Sequence, residues 1–216
     1  PSECIASATG EHKVAKVLVC IRHPYDTVMS FYRFLVGWIA PTDAVSLDDF
    51  ARYFFLGRGA PSSSAQNASY FHFVASWIPI ALADPSRVKV FAFERLTADR
   101  EPHLRRLAAH MGVPMDDELL AAVSTATSFT YMKEHETLFN ESLSKEKRNP
   151  VMGLPPDAGS SISKVRTGQV GQGVGALSAD VRAAIDQAWT DVVLPATGAA
   201  TYDELVAKVY AAQWNE

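Results

Sequence analysis

The sequence predicts an α/β domain, a central parallel sheet flanked by helices, and three observations predict it. Val14, Val17, Leu18, Val19 and Ile21 form a nearly continuous apolar run rich in β-branched residues, the pattern of a strand buried on both faces. A second such run, Val88-Lys89-Val90-Phe91-Ala92-Phe93, follows far downstream. Between and after these runs, apolar residues recur at helical spacing. Strands that alternate with helices pair in parallel through crossovers, so residues 14–21 and 88–93 are expected to be parallel neighbours or near-neighbours.

Residues 1–13 carry little pattern and read as a connector. The first strand ends at Arg22-His23-Pro24, where the period changes. Pro24 suits the first turn of a helix, Asp26 complements its positive N-terminus, and Val28, Phe31, Tyr32, Leu35 and Val36 follow at helical spacing. Ser30 falls on the face of Asp26 and Thr27. An arginine at the carboxyl end of a strand, beside a helix N-terminus and a serine hydroxyl, can seat a phosphate; it is equally the pattern of a surface arginine before a capped helix. Ser46 opens a short helix carrying Phe50, Tyr53 and Phe54, and residues 57–67 form a loop. The next helix, about 69–82, buries Tyr70, Phe73, Val74 and Trp77, with Pro79 expected to kink or fray its end.

After the second strand, Leu104, Leu107, Ala108 and Met111 mark a helix that stops at Gly112, with Pro114 beyond. Another helix covers 116–126. From about Thr125 to Gly175 apolar periodicity fades, while Lys145, Lys147, Arg148, Lys164 and Arg166 concentrate positive charge. Irregular stretches of this length are uncommon in compact domains unless functional or mobile. The glycine-spaced run Arg166-Thr167-Gly168-Gln169-Val170-Gly171 can wrap an anion with backbone N–H groups; the same run also fits a solvated loop. Two helices, one capped by Ser178 and one from Tyr202 to about Tyr210, close the chain and look structural.

The composition is that of one globular domain: 216 residues, 48% hydrophobic, 20% charged, net charge −4. Such a balance disfavours general nucleic-acid binding, so any anion site must be local. Cys4 and Cys20 have neither metal nor redox spacing, and no apolar run approaches a membrane span. No metal, nucleic-acid or membrane partner is expected.

Four stretches, in order, resemble the cytosolic-type sulfotransferases, which move a sulfuryl group from 3′-phosphoadenosine 5′-phosphosulfate (PAPS) to a hydroxyl or amine, leaving 3′,5′-bisphosphoadenosine (PAP). Residues 17–32, VLVCIRHPYDTVMSFY, look like the family's strand–helix element for the 3′-phosphate, with Arg22 and Ser30 as ligands. Val88 to Leu96 resembles the strand that usually ends in Tyr-Glu; here Phe93 stands for the tyrosine and Glu94 is kept. Ala126 to Lys133 is similar to the adenine-side motif, which implies Thr127, Ser128, Phe129 and Met132 as nucleotide contacts. Arg166-Thr167-Gly168 resembles a loop that closes over the 3′-phosphate, usually Arg-Lys-Gly, so Thr167 removes one positive charge. The resemblance covers about residues 16–172. It implies a P-loop-nucleotide-hydrolase-like sulfotransferase fold as one domain over 1–216, with cytoplasmic localisation. The family's short dimerisation motif is not recognisable in residues 172–177, so the oligomeric state stays open.

The family's P-loop-like turn for the 5′-phosphosulfate and its catalytic histidine lie upstream of this opening strand. The domain is therefore expected to be N-terminally incomplete relative to the family, with the base upstream of Pro1; His12 is a poor substitute, and Ser30 has a supporting role at most. The resemblance implies in-line sulfuryl transfer, with the acceptor deprotonated by a base and charge on the leaving phosphate stabilised by donors. For the acceptor, Phe34, Trp38 and Tyr70, with Phe54 and Phe71, are candidates to line a cavity for a small lipophilic alcohol or phenol; aromatics at this spacing also make ordinary cores. Two alternatives remain: a non-catalytic 3′-phosphoadenosine-binding module, or another P-loop-type nucleotide phosphotransferase.

Overall fold

A computed structural model describes residues 15–59 and 68–214. Val14, the connector, His12 and most of the 57–67 loop fall outside them. Strand β1 (Val17–Ile21) leads through Arg22 and His23 into helix α1 (Pro24–Leu35). A short helix, Leu47–Asp49, runs into a π-helical segment, Phe50–Leu56, and then comes the helix Tyr70–Ala83. Strand β2 (Val88–Ala92) follows. As expected, β1 and β2 are parallel, in register from Val17 opposite Val88 to Ile21 opposite Ala92.

Apolar side chains from these strands and from the helices around them build one core. Val19, Ile21, Val88, Val90 and Phe91 pack with Val28 of α1, Val74 and Ile78 of the 70–83 helix, and Leu205 and Val209 of the last helix, Tyr202–Gln213. That last helix does more than cover β2. Gln213 accepts from the Val90 N–H at 2.9 Å and donates to the Val88 carbonyl at 3.1 Å, the Trp214 indole donates to the Val90 carbonyl at 3.1 Å, and the Ala92 N–H donates to the Tyr210 hydroxyl at 3.2 Å. Side chains thereby supply the backbone partners that a further strand would supply, and the β2 edge is closed.

Several expectations change. β1 is not buried on both faces: Val19 and Ile21 are buried, but Leu18 is 43% exposed and Cys20 is exposed. The strand alternates, as a strand covered on one face does. β2 ends at Ala92, and Phe93 opens a short helix, Phe93–Ala98. Pro79 lies inside its helix, which continues to Ala83, with Pro79 exposed and Ile78 and Ala81 fully buried. The 125–175 region is not irregular throughout: it contains helices Phe129–Glu134, Ser142–Val151 and Gln172–Ala176. The 142–151 helix lacks an apolar stripe because polar side chains anchor it. The Trp38 indole donates to Asn149 Oδ1 at 2.8 Å, Asn149 Nδ2 donates to the carbonyls of Pro156 and Ala158 at 3.0 and 3.1 Å, and buried Lys145 donates to the Gly159 carbonyl at 2.7 Å.

Candidate functional site

The site forms where β1 ends. His23 is the N-cap of α1: its Nδ1 accepts from the Tyr25 N–H at 3.3 Å, and Pro24 occupies the first helical position, where a missing N–H costs nothing. The Arg22 carbonyl accepts from the Tyr70 hydroxyl at 2.6 Å and from Thr27 Oγ1 at 3.2 Å. Glu94, just past β2, takes the His23 N–H at 2.8 Å on one oxygen and the Tyr202 hydroxyl at 2.6 Å on the other. Burial and then the nearby Glu94 charge push both tyrosine hydroxyls well up, so each stays a donor. The turn carrying Arg22 is thus fixed from three neighbouring elements.

Beside it lies a cavity of about 440 Å³, lined by Arg22, Met29, Ser30, Arg33, Phe34, Phe93 and the 163–169 loop, among others. Six of the nucleotide residues expected from sequence meet here: Arg22, Ser30, Phe93, Arg166, Thr167 and Gly168. Phe129 adjoins them, since a Cβ on Gly168 would lie 2.7 Å from its ring. Gly168 has φ +64°, so it both avoids that ring and adopts a backbone angle that other residues resist. Thr127, Ser128 and Met132 do not line the cavity. Thr127 bonds back to the Val123 carbonyl at 2.7 Å, and Ser128 caps the 129–134 helix through the Tyr131 N–H at 3.1 Å. Of the acceptor candidates only Phe34 lines the cavity; Trp38 is buried on Asn149, Tyr70 supports Arg22 from behind, Phe71 is core and Phe54 stacks on Phe50.

The electrostatics are local, as the overall acidic balance requires. Arg22, Arg33, Lys164 and Arg166 line the cavity against a single carboxylate, Asp26. Asp26 is 1% exposed and already committed: it accepts from the Gly171 N–H at 2.6 Å and the Gly173 N–H at 2.7 Å, with Arg22 at 3.8 Å. Read from sequence as a complement to its own helix end, Asp26 in fact ties the 163–173 loop to α1. Lys164 pairs with Glu141 at 2.5 Å, over the Phe34 ring at 4.8 Å. The Arg22 guanidinium lies 4.4 Å over the Phe93 ring, which serves as its platform. Arg22 Nη2 reaches the Gln169 carbonyl at 3.4 Å, but its buried Nε has no hydrogen-bond partner among the described residues. A buried, unpartnered N–H on a cation is costly unless an acceptor arrives. The residues present therefore fit an anionic oxygen.

A family model described as a sulfotransferase domain matches residues 8–191, most of the chain. The chain belongs to the sulfotransferase family. It is 29% identical over 119 residues to mouse sulfotransferase 6B1, a match taking in 55% of this chain and 37% of that protein. It is 27% identical over 122 residues to guinea-pig 3-alpha-hydroxysteroid sulfotransferase, covering 56% and 40%. These matches span well under half of either relative. The crystal structure of mouse sulfotransferase SULT7A1 complexed with PAP superposes with a TM-score of 0.60 at 21% identity, over 86% of this chain and 62% of that one. That likeness carries the sulfotransferase fold to this α/β chain, parallel pair included. Arg33, Gln169 and Gln172 are cavity residues that the motifs did not flag; Arg33 was detectable only by its position three residues past Ser30 on the same face.

Proposed function

We propose that this protein is a PAPS-dependent sulfotransferase acting on a hydroxyl or amine of a small acceptor, and that the cavity at the end of β1 seats the 3′-phosphate of the nucleotide. The observation that carries the proposal is the Arg22 side chain: held over Phe93, aimed into a cavity, with a buried Nε lacking an acceptor among the described residues. PAPS would supply the activated sulfuryl group. The chain's own residues hold and orient. Arg22 offers a forked donor, Ser30 a hydroxyl nearly two turns into α1, and Arg166 with the Gly168 amide would close from the loop. Asp26 keeps that loop against α1, so phosphate binding and loop position are coupled through one carboxylate. Phe93, and Phe129 beside Gly168, give apolar surface for a base. Anchoring the nucleotide remote from the reacting sulfur lets binding energy position the transferring group.

The apolar side of the cavity, Met29, Phe31 and Phe34, suits a lipophilic alcohol or phenol. A cytoplasmic enzyme that needs no metal, as the family membership suggests, is part of the same proposal. Hydrogen exchange with and without PAP tests it. PAP should protect residues 164–172 and 22–31, leaving the 100–111 helix, remote in role, unchanged. Protection at 100–111 with the 164–172 amides unaffected would refute the site. Transfer from labelled PAPS to a panel of phenols and alcohols then separates the enzyme from a non-catalytic binding module.

A further inference from the structure

We propose that Arg33 is an additional phosphate ligand of this cavity, supplying from α1 the positive charge that Thr167 does not supply from the loop. The inference rests on the 3′-phosphate reading above and assigns it a residue that no motif names.

Arg33 follows Ser30 by three residues and Asp26 by seven, so the three share the α1 face that lines the cavity. Its Nη1 donates to Gln172 Oε1 at 3.2 Å, and Arg166 Nη2 donates to the same oxygen at 2.8 Å. The Gln172 amide nitrogen is itself turned to Gln169 Oε1. Two guanidinium groups therefore converge on one neutral acceptor. Neither forms an ion pair with a carboxylate among the described residues. Two like charges brought to one amide oxygen repel, and its partial negative charge offsets that less than a full anion would. Arg22, on the same cavity, has its own unpartnered Nε. The one carboxylate in the lining, Asp26, accepts from two loop amides and lies 3.8 Å from Arg22 rather than from Arg33 or Arg166. Lys164 is neutralised by Glu141. Three guanidiniums against one carboxylate leave a surplus of the size that a phosphate monoester, with between one and two negative charges near neutrality, would balance.

Thr167 explains why the surplus is placed on the helix. Its side chain lines the same cavity, half-buried, at the position where the family pattern carries a lysine. With a hydroxyl there, the loop contributes Arg166 alone. Arg33 brings the second charge to Arg166 from the opposite element, both guanidiniums meeting at Gln172 Oε1.

The test is calorimetric titration of PAP and AMP into the wild type, Arg33→Gln and Arg33→Gln/Thr167→Lys, with thermal melts of each. Arg33→Gln keeps an amide donor for Gln172 and removes only the charge. PAP affinity should fall by about tenfold or more, the scale of one charge-assisted contact, while AMP affinity holds. Adding Thr167→Lys should recover most of the loss, because it returns the charge from the other wall. Unchanged PAP affinity in Arg33→Gln, an equal loss for AMP, or no recovery with Thr167→Lys each overturn the assignment. If the wild type itself fails to prefer PAP to AMP, the 3′-phosphate reading falls, which is a different result from a PAP-selective wild type indifferent to Arg33.

Discussion

Replacing Asp26 by alanine should release the 163–173 loop while leaving the sheet intact. The carboxylate accepts two loop N–H groups at 2.6 and 2.7 Å and sits 3.8 Å from Arg22, with 1% of its side chain exposed. A hydrogen bond to a charged group contributes roughly 1.5–3 kcal/mol. Taking the lower end for each of the two, the loop loses about 3 kcal/mol against opening, or about a hundredfold in its opening equilibrium. Asp26→Asn retains one acceptor and should lose about half of that free energy. Native-state hydrogen exchange reads this directly, since amides released by local opening exchange independently of the core. The Gly171, Gln172 and Gly173 amides should exchange about a hundredfold faster in Asp26→Ala and about tenfold faster in Asp26→Asn, by the same arithmetic. Residues 17–21 and 88–92 should hold their protection. Unchanged exchange at 171–173 would refute the tie, and a uniform loss that includes β1 and β2 would make Asp26 a general contributor to stability.

Gly173→Ala should lower the denaturation midpoint, because the added Cβ would lie 2.4 Å from the Tyr25 carbonyl oxygen, backbone that cannot yield; overpacking of this kind costs about 1–3 kcal/mol, whereas Gly175→Ala, with open space around it, should be neutral or stabilising. His110 is buried against the start of the sheet with its Nε2 unpartnered among the described residues, and burial, aided by the Lys16 and Lys89 charges, lowers its pKa. The unfolded chain therefore binds the proton more readily, so the melting temperature should fall as pH drops below about 6.5, the unfolded value for histidine. His110→Gln should flatten that fall; an unaltered slope would assign the acid sensitivity elsewhere.

The parallel strand pair, the arginine at the end of β1, and the helix carrying Ser30 were legible because each rests on local pattern: β-branched runs, a proline at the first helical position, helical spacing. The meeting of Arg22, Ser30, Arg166 and Gly168 around one cavity was legible only through the resemblance, since more than a hundred residues separate its halves. What stayed hidden depends on partners distant in sequence. Asp26 reads as a helix-dipole residue until Gly171 and Gly173 are seen to donate to it. The 142–151 helix reads as loop because Lys145 and Asn149, its buried anchors, are polar. Phe93 reads as a lost hydroxyl, and only the fold shows it beneath the Arg22 guanidinium. The exposed face of β1 was missed because leucine and cysteine look alike in composition whether covered or not.

The central claim, that Arg22 holds a 3′-phosphate, is tested most directly by titrating PAP and AMP into the wild type and Arg22→Ala. Only PAP carries the phosphate in question. Arg22→Ala should weaken PAP by roughly 1.5–3 kcal/mol, about ten- to a hundredfold, and leave AMP within about twofold. Equal losses for the two nucleotides, or no loss for PAP, would contradict it.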